Sequence, residues 1–139
     1  MEYRRFENTC VVRLDPEEEI LTQLAALAEA EQIELAEISG LGALKELEIC
    51  VFDTKAKVYY NNTYAEAMEL LCLTGTITRM DGKPYLHLHA SAGDGTGKAV
   101  GGHLKKAVIS ATGEILVRIM AGQVGRKYSE AIGLNLLDF

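Results

Sequence analysis

One stretch constrains the fold more than any other: Tyr85-Leu-His-Leu-His-Ala-Ser-Ala-Gly-Asp-Gly-Thr-Gly-Lys-Ala-Val-Gly-Gly-His103-Leu104. It holds all three histidines of the chain. His87 and His89 stand two apart in a run that reads as a strand, so both rings point to one face. Leu86 and Leu88 then take the other face. A glycine-rich loop, Gly93 to Gly102, delivers His103 at the start of the next apolar run. If the two runs pair as a hairpin, His103 lies across from His89 or close to it. Three imidazoles can then converge on one point. Catalytic zinc takes three protein ligands and keeps one position open, which suits this pattern. His-x-His alone is a weak signal, because strand histidines usually sit on a solvated or hydrogen-bonded face. The added Gly-Gly-His is what strengthens it.

The rest of the chain sets bounds. Its 139 residues, 48% of them apolar, suit a single domain over residues 1–139 with one real core. The formal net charge is -6. Cations come in short pairs, Arg4-Arg5, Lys105-Lys106 and Arg126-Lys127, and form no basic stripe of the kind that nucleic-acid binders carry. Cys10, Cys50 and Cys72 are odd in number and widely spaced, without a CxxC. They read as buried free thiols in a reducing cytoplasm. The first residues show no apolar signal core, and no apolar run approaches a membrane span. The expectation is a cytoplasmic protein with no membrane partner.

Taken in order, Thr9 to Leu14 reads as a strand. Asp15-Pro-Glu-Glu-Glu19 looks like a helix start, with Asp15 as cap, Pro16 in the first position and Glu18 completing a capping box. Ile20, Leu21, Leu24, Leu27 and Ala28 recur at helical spacing, which predicts a helix to about Glu31. Leu35 to Ile38 and Leu44 to Phe52 read as strands separated by a glycine break, Ser39-Gly-Leu-Gly42. Val58 to Asn62 returns. Met68 to Thr78 is the most apolar run and reads as a central strand buried on both faces. Asp81-Gly82 turns into the histidine strand. His103 to Ala111 and Glu114 to Met120 read as two strands joined by a Thr112-Gly113 turn. A tail over residues 121–139 carries Tyr128, Ile132, Leu134, Leu136, Leu137 and Phe139, and is expected to pack on its own domain or a neighbouring subunit. The fold class that follows is α+β: a largely antiparallel, curled sheet with one long N-terminal helix packed on it.

The glycine loop Gly93-Asp-Gly-Thr-Gly97 lacks the Gly-Lys-Ser/Thr ending of a phosphate loop, and Gly97-Lys98 is followed by Ala. It reads as a structural turn.

Ser39-Gly-Leu-Gly-Ala43, Glu69-Leu-Leu-Cys-Leu-Thr-Gly-Thr-Ile77, Asp81-Gly-Lys-Pro-Tyr-Leu-His-Leu-His-Ala-Ser91 and Gly101-Gly-His-Leu104 together resemble the plant-and-prokaryote-conserved (PPC, or PCC) domain in its stand-alone prokaryotic form. The resemblance runs from about Thr9 to Met120. It implies a compact α+β domain related to acetolactate decarboxylase, a homotrimer, and the family label of DNA binding. The chain has no Arg-Gly-Arg-Pro hook, the part of plant members that touches DNA. It also reads Glu66-Ala-Met68 where plant members have Gly-Arg-Phe. Acetolactate-decarboxylase-like proteins hold zinc with a His-x-His and a later His, so the resemblance implies that role for His87, His89 and His103.

Two functional readings follow. One is a stand-alone PPC-domain protein, DNA-binding or regulatory by family label, with a three-histidine site for zinc or another divalent transition metal in a homotrimer. The other is a small zinc-dependent lyase or hydrolase acting on a carbonyl or ester. DNA is a partner by label and opposed by the net charge; protein partners are open. Glu69 and Arg118 are strand charges that either project into a site or lie exposed. No residue is assigned as acid or base.

Overall fold

Period-two patterning dominates the chain, and strands dominate the structure. The computed structural model describes residues 1–139 and is 66% strand and 8% helix. The elements are β1 (Glu2–Phe6), β2 (Thr9–Leu14), α1 (Ile20–Ala30), β3 (Ala36–Asp53), β4 (Val58–Tyr64), β5 (Met68–Met80), β6 (Lys83–Gly93), β7 (Ala99–Ile119), β8 (Gly125–Ser129) and β9 (Leu134–Asp138). Seven strands form one sheet in the order β1-β2-β7-β6-β5-β3-β4, and β8 pairs with β9 separately. β7 also pairs with β3, so β3, β5, β6 and β7 close into a ring. Every pairing is antiparallel. Closure removes the open edges among these four strands, and leaves β1 and β4 as the edges of the sheet. The core inside includes Leu73 and Ile77 of β5, Leu88 of β6, and Leu104 and Ile109 of β7. Ile20, Leu24, Leu27 and Ala28 of the helix belong to the same buried cluster.

The expected α+β class is therefore corrected to mostly β. The helix is short, 11 residues, and begins at Ile20. The reason lies in the acidic segment before it. Glu17 donates its amide to the Ile109 carbonyl at 3.0 Å, and Ile109 donates to the Glu18 carbonyl at 3.0 Å. These residues zip onto β7, in the stretch between its pairings with β6 and β2, and are not free to open a helical turn. Glu19 becomes the cap, its carboxylate accepting from the amides of Leu21 and Thr22 at 3.1 and 2.8 Å. Glu18 still accepts from the Asp15 amide at 2.8 Å, as a loop contact.

Three strand readings change too. The two expected strands, Leu35–Ile38 and Leu44–Phe52, merge into one bent strand, β3, which begins at Ala36 and has a bulge between Gly40 and Gly42 where the sequence showed a glycine break. Thr112-Gly113 is not a turn, because β7 runs through it without interruption. Gly113 faces Gly42 at a close backbone approach: a Cβ on Gly42 would lie 2.6 Å from the Thr112 carbonyl oxygen. Glycine there answers to packing, not to reversal. β5 is not buried on both faces, since Glu69, Leu71 and Cys72 are exposed. All three cysteines are free; Cys10 and Cys50 are buried as expected, whereas Cys72 is exposed because it lies on the outer face of β5.

Candidate metal centre

The hairpin of β6 and β7 places the histidines. Asp81 and Gly82, both at positive φ (52° and 74°), turn β5 into β6. On β6, Leu88 faces the core while His87 and His89 face outward. The β6–β7 turn is tied by Asp94, whose carboxylate accepts from the Thr96 amide at 2.8 Å, the Thr96 hydroxyl at 2.6 Å and the Lys98 amide at 3.0 Å. The carboxylate's accepting capacity is spent within the turn, which serves as a hairpin closure. The register that results sets His89 directly opposite His103. One ligand nitrogen from each of His87, His89 and His103 lies within 4.8 Å of the others. The ring centroids are 5.2 to 5.6 Å apart.

A cleft of about 630 Å³ stands over these rings. One wall comes from β3 and β4, with Cys50, Phe52 and Tyr59. The other comes from the β8–β9 hairpin, with Arg126, Leu134 and Leu136. No aspartate or glutamate lines it. Burial in this cleft lowers the His87 pKa first, and the Arg126 and His89 charges add to it. Burial, then repulsion from His87, His89 and Lys105, pushes His103 down to about 4. Both rings are therefore neutral at pH 7, the form that binds a metal.

The donor set fits a divalent transition metal. Imidazole suits zinc, copper, iron and nickel. Two nitrogens on a tetrahedral zinc stand roughly 3.3 Å apart at ordinary zinc–nitrogen lengths, so small ring movements close the present spacing. Cys50 is the cross-strand neighbour of His103 and lines the cleft. Burial pushes its thiol pKa up, and its sulfur is not among the convergent ligand atoms.

The family described as the Plants and Prokaryotes Conserved (PCC) domain matches residues 1–121. The chain belongs to it. Among curated proteins, none matches the chain. Solved structures agree with the fold over nearly the whole length. A candidate DNA-binding protein from Bacteroides thetaiotaomicron is 35% identical, with a TM-score of 0.97, covering 99% of this chain and 96% of that one. A plant- and prokaryote-conserved protein from Pyrococcus horikoshii is 30% identical, with a TM-score of 0.87 and 99% and 94% covered. A metal-containing protein from Archaeoglobus fulgidus is 28% identical, with a TM-score of 0.88 and 99% and 97% covered.

Within this PCC domain the three sequence-nominated histidines come together, and the two nominated charges do not join them. Glu69 is exposed on β5. Arg118 pairs with Glu37 on the neighbouring strand, Nε to Oε2 at 3.0 Å. The cation that does reach the cleft is Arg126, from β8. Sequence placed it only in a surface pair with Lys127. Tyr59 also went unnoticed; its ring centroid is 6.3 Å from that of His103. Neither carries a local motif, since both arrive from strands distant in sequence. No helix is long and apolar enough to cross a membrane.

Proposed function

We propose that His87, His89 and His103 hold one divalent transition metal, zinc above the others, and that the cleft over it binds a small molecule for lyase or hydrolase chemistry. The observation that carries this is three imidazoles with convergent nitrogens on the floor of a cleft with no carboxylate. When bound, such an ion supplies a Lewis acid for a carbonyl or ester oxygen through its open position. The chain's residues do the rest. The alternation of β6 turns His87 and His89 to the cleft, and Leu88 anchors that strand in the core. Burial raises the Tyr59 phenol, so it is protonated at neutral pH and stands beside His103 as a proton donor. The metal-containing relative and the resemblance to acetolactate-decarboxylase-like zinc sites support the same reading.

The test is metal per chain, measured on protein purified without added metal and again after incubation with zinc at neutral pH. One equivalent is expected in the native protein. His87→Ala, His89→Ala and His103→Ala are each expected to lose it. A native protein that takes up no zinc ends the metal reading.

A homotrimer belongs to this proposal. β4 is an edge strand with every residue but Tyr64 exposed, and Tyr60 (56% exposed) pairs with Val51 (57% exposed). Such apolar surface on an unpaired edge is the kind that subunit contact covers. Light scattering is expected to give three times the chain mass, and a monomer across micromolar concentrations would refute it.

The DNA-binding description of the Bacteroides relative supports a second reading. The charge pattern weighs against it here, because Arg5, Arg13, Arg79 and Arg118 are all paired with carboxylates. Duplex affinity at physiological salt is expected to be weak, with a shallow salt slope. Submicromolar binding with a steep slope would restore the DNA reading.

A further inference from the structure

The cleft holds one permanent cation. Arg126 reaches it from β8 and is held by neutral groups alone. Its Nε donates to the Thr78 hydroxyl at 3.0 Å, one terminal nitrogen to the Asn135 carbonyl at 3.3 Å, and the other to the Thr76 hydroxyl at 3.4 Å. The guanidinium lies over the Tyr85 ring, 4.8 Å from its centroid. Thr76 is the cross-strand neighbour of His87, which sets this cation beside the histidine cluster. A guanidinium has five N–H donors. Three are engaged, so each terminal nitrogen keeps one N–H without a protein partner. Burial lowers the Arg126 pKa, and no carboxylate offsets that cost. Arg5, Arg13, Arg79 and Arg118 have a carboxylate partner; Arg4, exposed to solvent on β1, and Arg126, in the cleft, have none. A partly buried, fixed and unpaired cation is an anion site.

We propose that Arg126 binds the carboxylate of a small organic acid whose neighbouring oxygen reaches the point where His87, His89 and His103 converge. This rests on the metal reading and names its substrate class. The anion is a carboxylate because one planar guanidinium matches its fork, while a phosphate dianion calls for more donors than the cleft offers. The remaining wall is apolar, from Phe52, Leu134 and Leu136, and takes the carbon chain of the acid. Thr76, Thr78 and Tyr85 are positioning residues that fix the guanidinium before the acid arrives.

The test uses zinc-incubated native protein, Arg126→Gln and Arg126→Lys. Lactate is the probe and lactamide its neutral counterpart. Binding is read by calorimetry, and zinc per chain is measured on the same samples. Lactate is expected to bind the native protein and lactamide not to bind. Arg126→Gln is expected to weaken lactate at least tenfold with zinc content unchanged, and Arg126→Lys to recover part of the loss. If zinc is present but lactate fails to bind, binds no better than lactamide, or binds Arg126→Gln equally well, the carboxylate proposal falls and the metal reading stands. If the native protein takes up no zinc, both fall. The lactate–lactamide difference in the native protein decides the matter even if Arg126→Gln proves unstable.

Discussion

The two faces of one strand, β6, do opposite work. Leu88 points inward and is buried with Leu73 and Ile77 of β5. His87 and His89, on either side of it in sequence, are exposed toward the cleft. The inner face is satisfied by apolar packing within the chain. The outer face collects three imidazoles and a guanidinium with no acid among them, an arrangement that does nothing for stability by itself. Positions one residue apart are thus governed by different physics, and substitution separates them.

The largest effect expected is on the inner face. Leu88→Ala should destabilise the metal-free protein by about 2–5 kcal/mol, the range for a fully buried leucine, measured by denaturant unfolding. His89→Ala, next to it and exposed, should change metal-free stability by about 0.5 kcal/mol or less. Equal losses from the two would erase the contrast.

A middle-sized effect concerns acid. His87 and His103 have folded pKa values below that of a free imidazole, about 6.5, with His103 at about 4. Below pH 6.5 the unfolded chain takes up protons that the folded one refuses. The metal-free protein should therefore hold its full stability above pH 6.5 and lose it progressively toward pH 4. Unfolding midpoints at pH 7.5 and pH 5 give the measurement, with a smaller drop in His103→Ala. A midpoint indifferent to pH in the native protein would show that the cleft does not desolvate these rings.

The smallest effect is expected at the exposed ion pair of Arg118 with Glu37. Arg118→Ala should cost no more than about 1 kcal/mol and leave zinc uptake as it was. A large loss of either would return Arg118 to the site that the sequence first suggested for it.

These contrasts also mark what could be read in advance. The convergence of His87, His89 and His103 was legible because strand alternation and hairpin register follow local rules. So was the Asp81-Gly82 turn. The start of the helix was not, because Asp15 to Glu19 carries every local signal for a cap at Asp15, yet Glu17 and Glu18 are taken up by hydrogen bonds to Ile109, far along the chain, and the cap moves to Glu19. Thr112-Gly113 carries a turn signal, but Gly113 is there for its close pass against Gly42. Met68–Thr78 looked buried on both faces because Leu71 and Cys72 are apolar in composition while lying on the outer surface. Arg126 escaped notice for the same reason in reverse: a charged residue in an apparent tail becomes a cleft residue only once β8 meets β5.

Closure of the ring has a kinetic consequence. β3 finds its longest partner only in β7, with Ala36 bonded opposite Ile119. During synthesis the N-terminal strands must wait for nearly the whole domain to emerge before the ring can shut. Contacts so distant in sequence slow folding to the millisecond-to-second range typical of β-barrels. Through that wait the edges of β3 and β6 that β7 will cover stand open, so the newborn chain is most prone to aggregate just before β7 arrives.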